Sequence, residues 1–333
     1  MRTRNPILRV IIHLSLIIWA IYSTFPFFWA FLGSIKKPVD ANARVPVIFG
    51  FTPTAQNYVE LWLNMPPEKF VPIGIGILVT ILALIAFAVF TKDSLTGPAK
   101  SLIIISVLVV MFALLPQIAD MSKFYTYFLN SVIITVCTLL ISISIGCLAG
   151  YGIARYSGLL GVILLVVALG FRALPRMAFV LPYYYLANIV GLYDTHIMLI
   201  LALVAVNQPF TVWMLRSFFM EIPREIEEAA MIDGAGRLQS FLRVIVPITW
   251  PGIITTSLFT LLLAYNEFLL ARVLMQTNLT LPVAIAQFTS GEDAGHITIA
   301  NAAAISISLP IVFVIIFFQK HLIKGLASGA VKG

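Results

Sequence analysis

The segment that decides the fold runs from Phe128 to Gly150 and reads FLNSVIITVCTLLISISIGCLAG. It contains no charged residue, and about 20 apolar residues in a row are enough for a helix to cross the hydrocarbon core of a bilayer. The whole chain has the same character, because 60% of its 333 residues are apolar and 11% are charged. A soluble domain has about 45–50% and about 25%. The composition therefore predicts a polytopic, all-α membrane protein.

Seven further segments resemble this one, which predicts about eight membrane-spanning helices. The eight segments are Leu8–Leu32, Val71–Phe90, Leu102–Ala119, Phe128–Gly150, Leu159–Leu181, His196–Leu215, Pro251–Leu270 and Ile297–Phe318. The first segment is too long for the apolar region of a signal peptide, and no small-residue cleavage site follows it. With the N-terminus in the cytoplasm, thirteen of the 21 Lys and Arg residues lie inside and eight lie outside. Both termini are therefore predicted to be cytoplasmic.

Several functional classes are excluded by what the sequence lacks. It has no glycine-rich phosphate loop and no nucleophile–base arrangement, so the chain is not expected to be an ATPase or another enzyme. The scattered histidines and the two cysteines within one span predict no metal site. The net charge of +7 is attributed to basic residues at cytoplasmic helix ends, and no nucleic acid is expected as a partner.

The loop between the sixth and seventh spans, from Arg216 to Pro247, holds five of the fourteen acidic residues. Pro223 suits a first helical turn, and acidic residues after it favour the positive end of a helix dipole. Gly234 and Gly236 predict a sharp corner. An apolar stripe follows with helical spacing, formed by Leu238, Phe241, Leu242 and Ile245. Two short helices at an angle fit either a socket on another protein or an amphipathic hairpin on lipid, and the acidic first helix disfavours anionic lipid.

This loop resembles the EAA loop of ATP-binding-cassette importer permeases, which forms the coupling helix that sits in a groove of the cytoplasmic ATPase. The matching positions are Glu228, Ala229, Ala230, Asp233, Gly234, Ala235, Phe241, Val244 and Pro247. Val246 departs from the family pattern, because leucine commonly precedes that proline. The resemblance implies that these residues couple transport to ATP hydrolysis.

Three more stretches resemble the carbohydrate-uptake branch of that family, the MalG-like maltose permease subunits. They are Gly191–Thr195, Tyr265–Leu269 and the tail Gly325–Gly333. The resemblance covers the first span with its loop, and then the chain from about Tyr125 onward. Residues 71–119 do not fit, and they are interpreted as two extra spans inserted into a six-helix core. Two roles remain open for this pair. It either packs against lipid or a partner, or it has an added function.

The resemblance implies the transmembrane domain of a type I ABC importer. Its expected parts are a first helix (1–33), an extracytoplasmic loop (34–70), the inserted pair (71–119), the core permease domain (120–319, with the EAA loop at about 219–247) and a cytoplasmic tail (320–333). The implied partners are a second, homologous permease subunit, two ATPase subunits that carry ATP and Mg²⁺, and an extracytoplasmic solute-binding protein. The chain itself is expected to bind no cofactor. The implied solutes are oligosaccharides, polyols, glycosides and glycerophosphate-like molecules.

The alternative functions are an ion-coupled secondary transporter or channel, and a purely structural membrane subunit. Ion coupling needs intramembrane acids, for which Glu267 is the candidate. Asn266 and Glu267 are predicted near the outer end of the seventh span, either in the transport path or in a pair between helices.

Further polar residues within the spans are candidates for the translocation path. Asn207 and Gln208, followed by Pro209, either line a cavity or stabilise a kink. Tyr183 and Tyr184 follow Pro182 in a broken span, where aromatic rings either pack on sugars or mark the membrane interface. Arg172 and Arg176 either contact an anionic group or serve lipid headgroups and acidic side chains.

Overall fold

The computed structural model describes residues 6–41, 43, 45, 47–64, 67–91, 97–155, 158–288 and 294–330. Within these ranges the chain is almost entirely helical, and its one β-type pairing is an isolated antiparallel bridge between Leu63 and Met121. The helices are α1 (Pro6–Ser34), α2 (Pro38–Ala41), α3 (Gln56–Trp62), α4 (Pro67–Phe90), α5 (Gly97–Ile118), α6 (Lys123–Arg155), α7 (Gly158–Arg172), α8 (Met177–Ile189), α9 (His196–Met220), α10 (Arg224–Ile232), α11 (Arg237–Ser240), a π-helical turn (Phe241–Ile245), α12 (Val246–Tyr265), α13 (Leu269–Leu274), α14 (Leu281–Phe288) and α15 (Ala294–Ala330).

Five of the described helices are long and apolar enough to cross a membrane, and a bent pair brings the number to six. The five are Ile7–Ser34, Lys123–Arg155, His196–Met220, Arg237–Tyr265 and Ile297–Lys320. The predicted segments Val71–Phe90 and Leu102–Ala119 are helical, as α4 and α5, but their described apolar stretches, Gly74–Leu84 and Ser106–Gln117, are shorter than a span. The count of eight spans therefore stays a prediction.

The predicted segment Leu159–Leu181 does not form one straight helix. The chain bends by 95° between α7 and α8. The break lies at residues 173–176 and contains Pro175, which has no backbone N–H to continue the helix. Pro175 and Pro182 together predict a broken span; the break lies at Pro175, whereas Pro182 lies inside α8, which extends to Ile189.

The described chain divides into two compact units, of which the first comprises residues 1–126 and 285–306. In this unit the chain enters α4 and leaves α5 at neighbouring points. Leu63 pairs with Met121, and the Asn64 N–H donates to the Asp120 carbonyl at 2.8 Å. Pro116 leaves the carbonyl of Phe112 without its helical donor, and the Tyr125 hydroxyl donates to that carbonyl at 2.6 Å.

The second unit comprises residues 127–284 and 307–333. Its core centres on α9, which packs against α7, α12 and α13. Helices approach closely where side chains are small, as is common in membrane bundles. A Cβ atom at Gly252 would lie 2.4 Å from the Phe218 ring, and one at Gly146 would lie 2.8 Å from the Thr211 methyl group.

The ends of two helices differ from the sequence prediction. The seventh span does not reach Leu270, because α12 ends at Tyr265 and a separate short helix, α13, begins at Leu269. The last helix is longer than the predicted span Ile297–Phe318, because α15 continues through the predicted tail to Ala330. Residues 331–333 lie outside the described residues.

Candidate functional site

The loop after α9 folds into a helical hairpin, Pro223–Ile245, which we call the coupling hairpin. Pro223 precedes α10, and two acidic residues, Glu225 and Glu227, lie in its first turn. The corner is a Schellman motif, in which the Ala235 N–H donates to the Ala230 carbonyl at 3.0 Å and the Gly234 N–H donates to the Met231 carbonyl at 3.1 Å. Gly234 has φ +88°, a conformation that glycine adopts without strain.

A buried carboxylate fixes the hairpin to the end of α6. Glu227 is 4% exposed and accepts hydrogen bonds from the Tyr151 hydroxyl and from Arg155 Nε, the latter at 3.1 Å. The same arginine donates to the Ile222 carbonyl at 2.9 Å. The Arg155 side chain therefore holds both the start of the hairpin and its first helix.

Aromatic packing supports this attachment. The Phe241 ring lies 4.5 Å from the Tyr151 ring, and both belong to a buried cluster with Phe219 and Ile245. The predicted apolar stripe therefore divides between two environments, because Phe241 and Ile245 are buried whereas Leu238 and Leu242 are exposed. Phe241 serves the attachment of the hairpin and is not part of its free surface.

The residues that carry the EAA resemblance lie mostly on the other side of α10. Glu228, Ala229, Asp233, Gly234 and Pro247 are exposed, and Ala230 and Ala235 are half-buried. Exposed apolar side chains adjoin them at Ile226, Met231, Ile232, Leu238 and Leu242, with Ile232 86% exposed. The hairpin thus presents a surface that mixes carboxylates with large apolar groups.

The hairpin is continuous with the next span. Residues 237–265 form one helical rod that includes the π-helical turn. In that turn the Val246 N–H donates to the Phe241 carbonyl five residues back, and Pro247 follows in the first turn of α12, where its missing N–H is tolerated. Pro247 and Pro251 both lie inside this continuous helix.

Asn207 and Gln208 lie in a polar seam inside the second unit. Asn207 is buried, Gln208 Nε2 donates to the Ser142 carbonyl at 3.1 Å, and the hydroxyl groups of Thr211 and Thr260 are 3.1 Å apart. Gln208 Oε1 is buried without a partner among the described residues. The seam joins α6, α9 and α12, so these residues contribute to packing between the three helices, and their place in the transport path stays a prediction.

Glu267 and Arg176 form an ion pair. The carboxylate side chain is 3% exposed and the arginine side chain is 42% exposed. Glu267 Oε1 also accepts the N–H groups of Leu269 and Leu270, at 3.1 and 3.2 Å, and so stabilises the start of α13. Glu267 thus forms a pair between helices, while a place in the transport path stays a prediction, and Asn266 caps the end of α12.

The remaining candidates of the bent pair lie in different surroundings. The Arg172 guanidinium stacks on the Phe210 ring, 4.6 Å from its centre. Tyr183 packs against the core around α9, whereas Tyr184 is partly exposed and contacts the Tyr193 ring edge-on at 5.6 Å.

At the opposite end of α9 from the hairpin, Asp194 organises a second cluster. It has φ +58°, and its carboxylate accepts the N–H groups of Gln276 at 2.8 Å, Thr277 at 3.1 Å and Asn278 at 3.2 Å, and the Thr277 hydroxyl. Partial desolvation alone would raise the pKa of this carboxyl, but the hydrogen bonds from Thr277, Gln276 and Asn278 lower it below its ordinary value.

Sequence reasoning missed the roles of Glu227 and Asp194. Glu227 was counted only as one of several acids in a helical first turn, and its signal lay in the separated partners Tyr151 and Arg155, 76 and 72 residues away. Asp194 was quoted only as part of a motif. An acidic residue next to a predicted helix start, Thr195–His196, was the local signal for a turn.

The comparisons with known proteins agree with this geometry. Residues 142–328 match the family model described as the binding-protein-dependent transport system inner membrane component. The trehalose transport system permease protein SugB of Mycobacterium tuberculosis is 37% identical over 213 residues, which make up 63% of this chain and 78% of the relative. The trehalose/maltose transport system permease protein MalG of Thermococcus litoralis is 31% identical over 212 residues, 63% of this chain and 76% of the relative.

A solved structure extends the likeness to nearly the whole chain. It is a bacterial ABC transporter involved in the import of the acidic polysaccharide alginate, with a TM-score of 0.66, 17% identity, and coverage of 96% of this chain and 98% of that one. The predicted importer-permease fold is confirmed. With a matched family model over residues 142–328 and apolar helices long enough to span a membrane, the chain belongs to the family of binding-protein-dependent transport system inner membrane components.

Proposed function

We propose that this chain is the permease subunit of an ATP-driven importer for a sugar or a sugar-derived solute, and that the coupling hairpin docks on a separate ATPase. The observation that carries the proposal is the anchored hairpin with its free surface. Glu227 and Phe241 fix it to α6, while Glu228, Ala229 and Asp233 stay exposed. The sugar class rests on relatives whose names state trehalose and maltose transport.

The hairpin suits a protein partner better than a lipid surface. Its exposed carboxylates would be repelled by anionic headgroups, whereas a protein groove can pair them with basic side chains and bury Ile232 and Leu238. A partner that binds the hairpin differently in two states can shift the permease between two conformations, and moving an equilibrium from 1:99 to 99:1 requires about 5.5 kcal/mol. Two hairpins, one on each permease subunit, would share that difference.

The proposed assembly contains this chain, a second homologous permease subunit as a heterodimeric partner, two ATPase subunits and an extracytoplasmic solute-binding protein. ATP and Mg²⁺ bind to the ATPase subunits, and this chain is not itself catalytic. Both termini and the coupling hairpin face the cytoplasm. The exposed Tyr184 and Tyr185 rings on α8 are candidate sugar contacts, because aromatic faces pack on apolar sugar faces.

Ion-coupled transport receives no support from the site. Glu267, the acid that such a mechanism would require, already accepts two backbone N–H groups and pairs with Arg176. A carboxylate held in this way is poorly suited to bind and release an ion in each cycle.

Site-directed crosslinking tests the proposal. In a background with Cys137 and Cys147 replaced by serine, Ala230→Cys or Ala235→Cys is expected to crosslink to an ATPase subunit in membranes of the intact transporter. Crosslinks to lipid alone would contradict the proposal.

Charge reversal supplies the functional readout. Glu228→Lys is expected to abolish sugar uptake while leaving membrane insertion unchanged, because Glu228 is exposed and its loss disturbs only the docked partner. Glu60→Lys reverses an exposed charge on α3, outside the hairpin, and serves as the matched control with normal uptake. Full uptake in the Glu228→Lys variant would overturn the proposed coupling.

A further inference from the structure

Arg172 is a partly buried cation without an acidic partner. Its guanidinium makes no hydrogen bond or ion pair with any residue that the structure describes, and its Nη1 atom is buried and unpaired. The other arginine of the bent pair, Arg176, is matched by Glu267. A charged group within a membrane-spanning segment costs several kcal/mol unless it is paired or faces a polar path.

The side chain is held in place by its ring contact. Arg172 ends α7 at the break of the bent pair, and its guanidinium carbon lies 4.6 Å above the centre of the Phe210 ring. This cation–π contact uses none of the N–H groups of the guanidinium as hydrogen-bond donors to a charged acceptor. The edge of a guanidinium binds carboxylate, phosphate or sulfonate oxygens through two parallel hydrogen bonds.

The position favours a transported solute over a fixed partner. Arg172 is the last residue of α7, directly before the 95° bend to α8, so its guanidinium lies beside a broken backbone. Discontinuous helices of this kind form solute sites in many transporters. Arg172 is half-buried, so part of its side chain is exposed although Nη1 is not.

We propose that Arg172 binds an anionic group of the transported solute, so that the imported carbohydrate carries a carboxylate, phosphate or sulfonate group. This inference rests on the proposed function, because it names the chemical class of the imported solute.

The test compares neutral and anionic solutes in proteoliposomes that contain the complete transporter and its binding protein. The neutral probes are trehalose and maltose, and the anionic probes are glucuronate-containing disaccharides, glucose 6-phosphate and sulfoquinovose. The wild type is expected to import at least one anionic probe. Arg172→Gln should lower that uptake by about tenfold or more, Arg172→Lys should lower it less, and the exposed-site control Arg272→Gln should leave it unchanged.

The outcomes separate this inference from the proposed function. Import of neutral sugars alone by the wild type would overturn the anionic class and leave the sugar-importer function standing, whereas import of no carbohydrate would overturn both. Equal loss of all solutes in Arg172→Gln would assign Arg172 a structural role. Loss of co-purified anionic lipid in that variant, with solute uptake unchanged, would assign the guanidinium to a lipid headgroup and overturn the inference. Intact crosslinking from Ala230→Cys shows that the variant is folded.

Discussion

Two neighbouring glutamates in the coupling hairpin have opposite environments. Glu227 is buried and bonded to Arg155 and Tyr151, and Glu228 is exposed. Removing one partner of a buried ion pair typically costs about 3–5 kcal/mol, because the other charge is left unpaired. An exposed charge contributes little to folding. One residue therefore holds the hairpin and the next is free to meet a partner, a difference that helical position alone produces.

Asp194 holds the loop at residues 276–278 through hydrogen bonds, and a substitution can test this role. Asp194→Ala is expected to release the loop at residues 276–278, because the variant loses every side-chain acceptor and keeps a strained φ of +58°. Hydrogen–deuterium exchange measures this directly, as faster exchange of the Gln276, Thr277 and Asn278 amides. Asp194→Asn, which tolerates the left-handed conformation and retains one acceptor, should show a smaller effect.

The same carboxylate gives the loop a defined pH dependence. Since hydrogen bonds lower its pKa in the folded protein, its contribution to stability is complete above its ordinary pKa and is lost as the pH falls through the lowered value. Amide protection at residues 276–278 should therefore be constant from neutral pH down to about pH 4 and should decrease only in stronger acid. Loss of protection near pH 6 would contradict this account, and Asp194→Asn should remove the dependence.

At the scale of helices, apolar runs were sufficient to locate the elements, whereas their ends and bends depended on tertiary contacts. The span at His196–Leu215 was predicted closely, because its apolar run begins after the capping residue Thr195. The end of α12 was not, because only Asn266 and Glu267 interrupt the apolar residues there. The break depends on Glu267, which caps α13 and pairs with a distant arginine. The corner at Gly234 was predictable because its signal is local.

Helices α4 and α5 are expected to be dispensable for the folding of the rest of the chain. Their two ends meet at the bridge between Leu63 and Met121, so replacement of residues 65–119 by an Asn-Gly turn is expected to close the backbone without strain. The shortened chain should insert into membranes and retain the crosslink from Ala230→Cys to the ATPase. Immunoblotting of membranes and the crosslink measure this. Failure to accumulate in the membrane, with a full-length control processed in parallel, would show that the core requires the pair.

At the scale of the whole second unit, one rod links the coupling hairpin to a distant ion pair. Residues 237–265 form a 29-residue helix, about 43 Å long at 1.5 Å per residue, which exceeds the roughly 30 Å hydrocarbon core. Beyond its far end, Glu267 pairs with Arg176 at the break between α7 and α8. We therefore expect a displacement of the hairpin to be transmitted along this helix to the bent pair, where Arg172 lies.

A double-mutant cycle tests this transmission. Glu267→Gln keeps an oxygen acceptor for the Leu269 and Leu270 N–H groups, so it removes the charge and preserves the cap. Each of Glu267→Gln and Arg176→Gln should lower binding-protein-stimulated ATPase activity and solute uptake, while hairpin crosslinking persists. Because both act on one contact, the double variant should be no worse than the more impaired single variant. Additive losses would mean that the two residues act separately and that the force from the hairpin reaches the bent pair by another route.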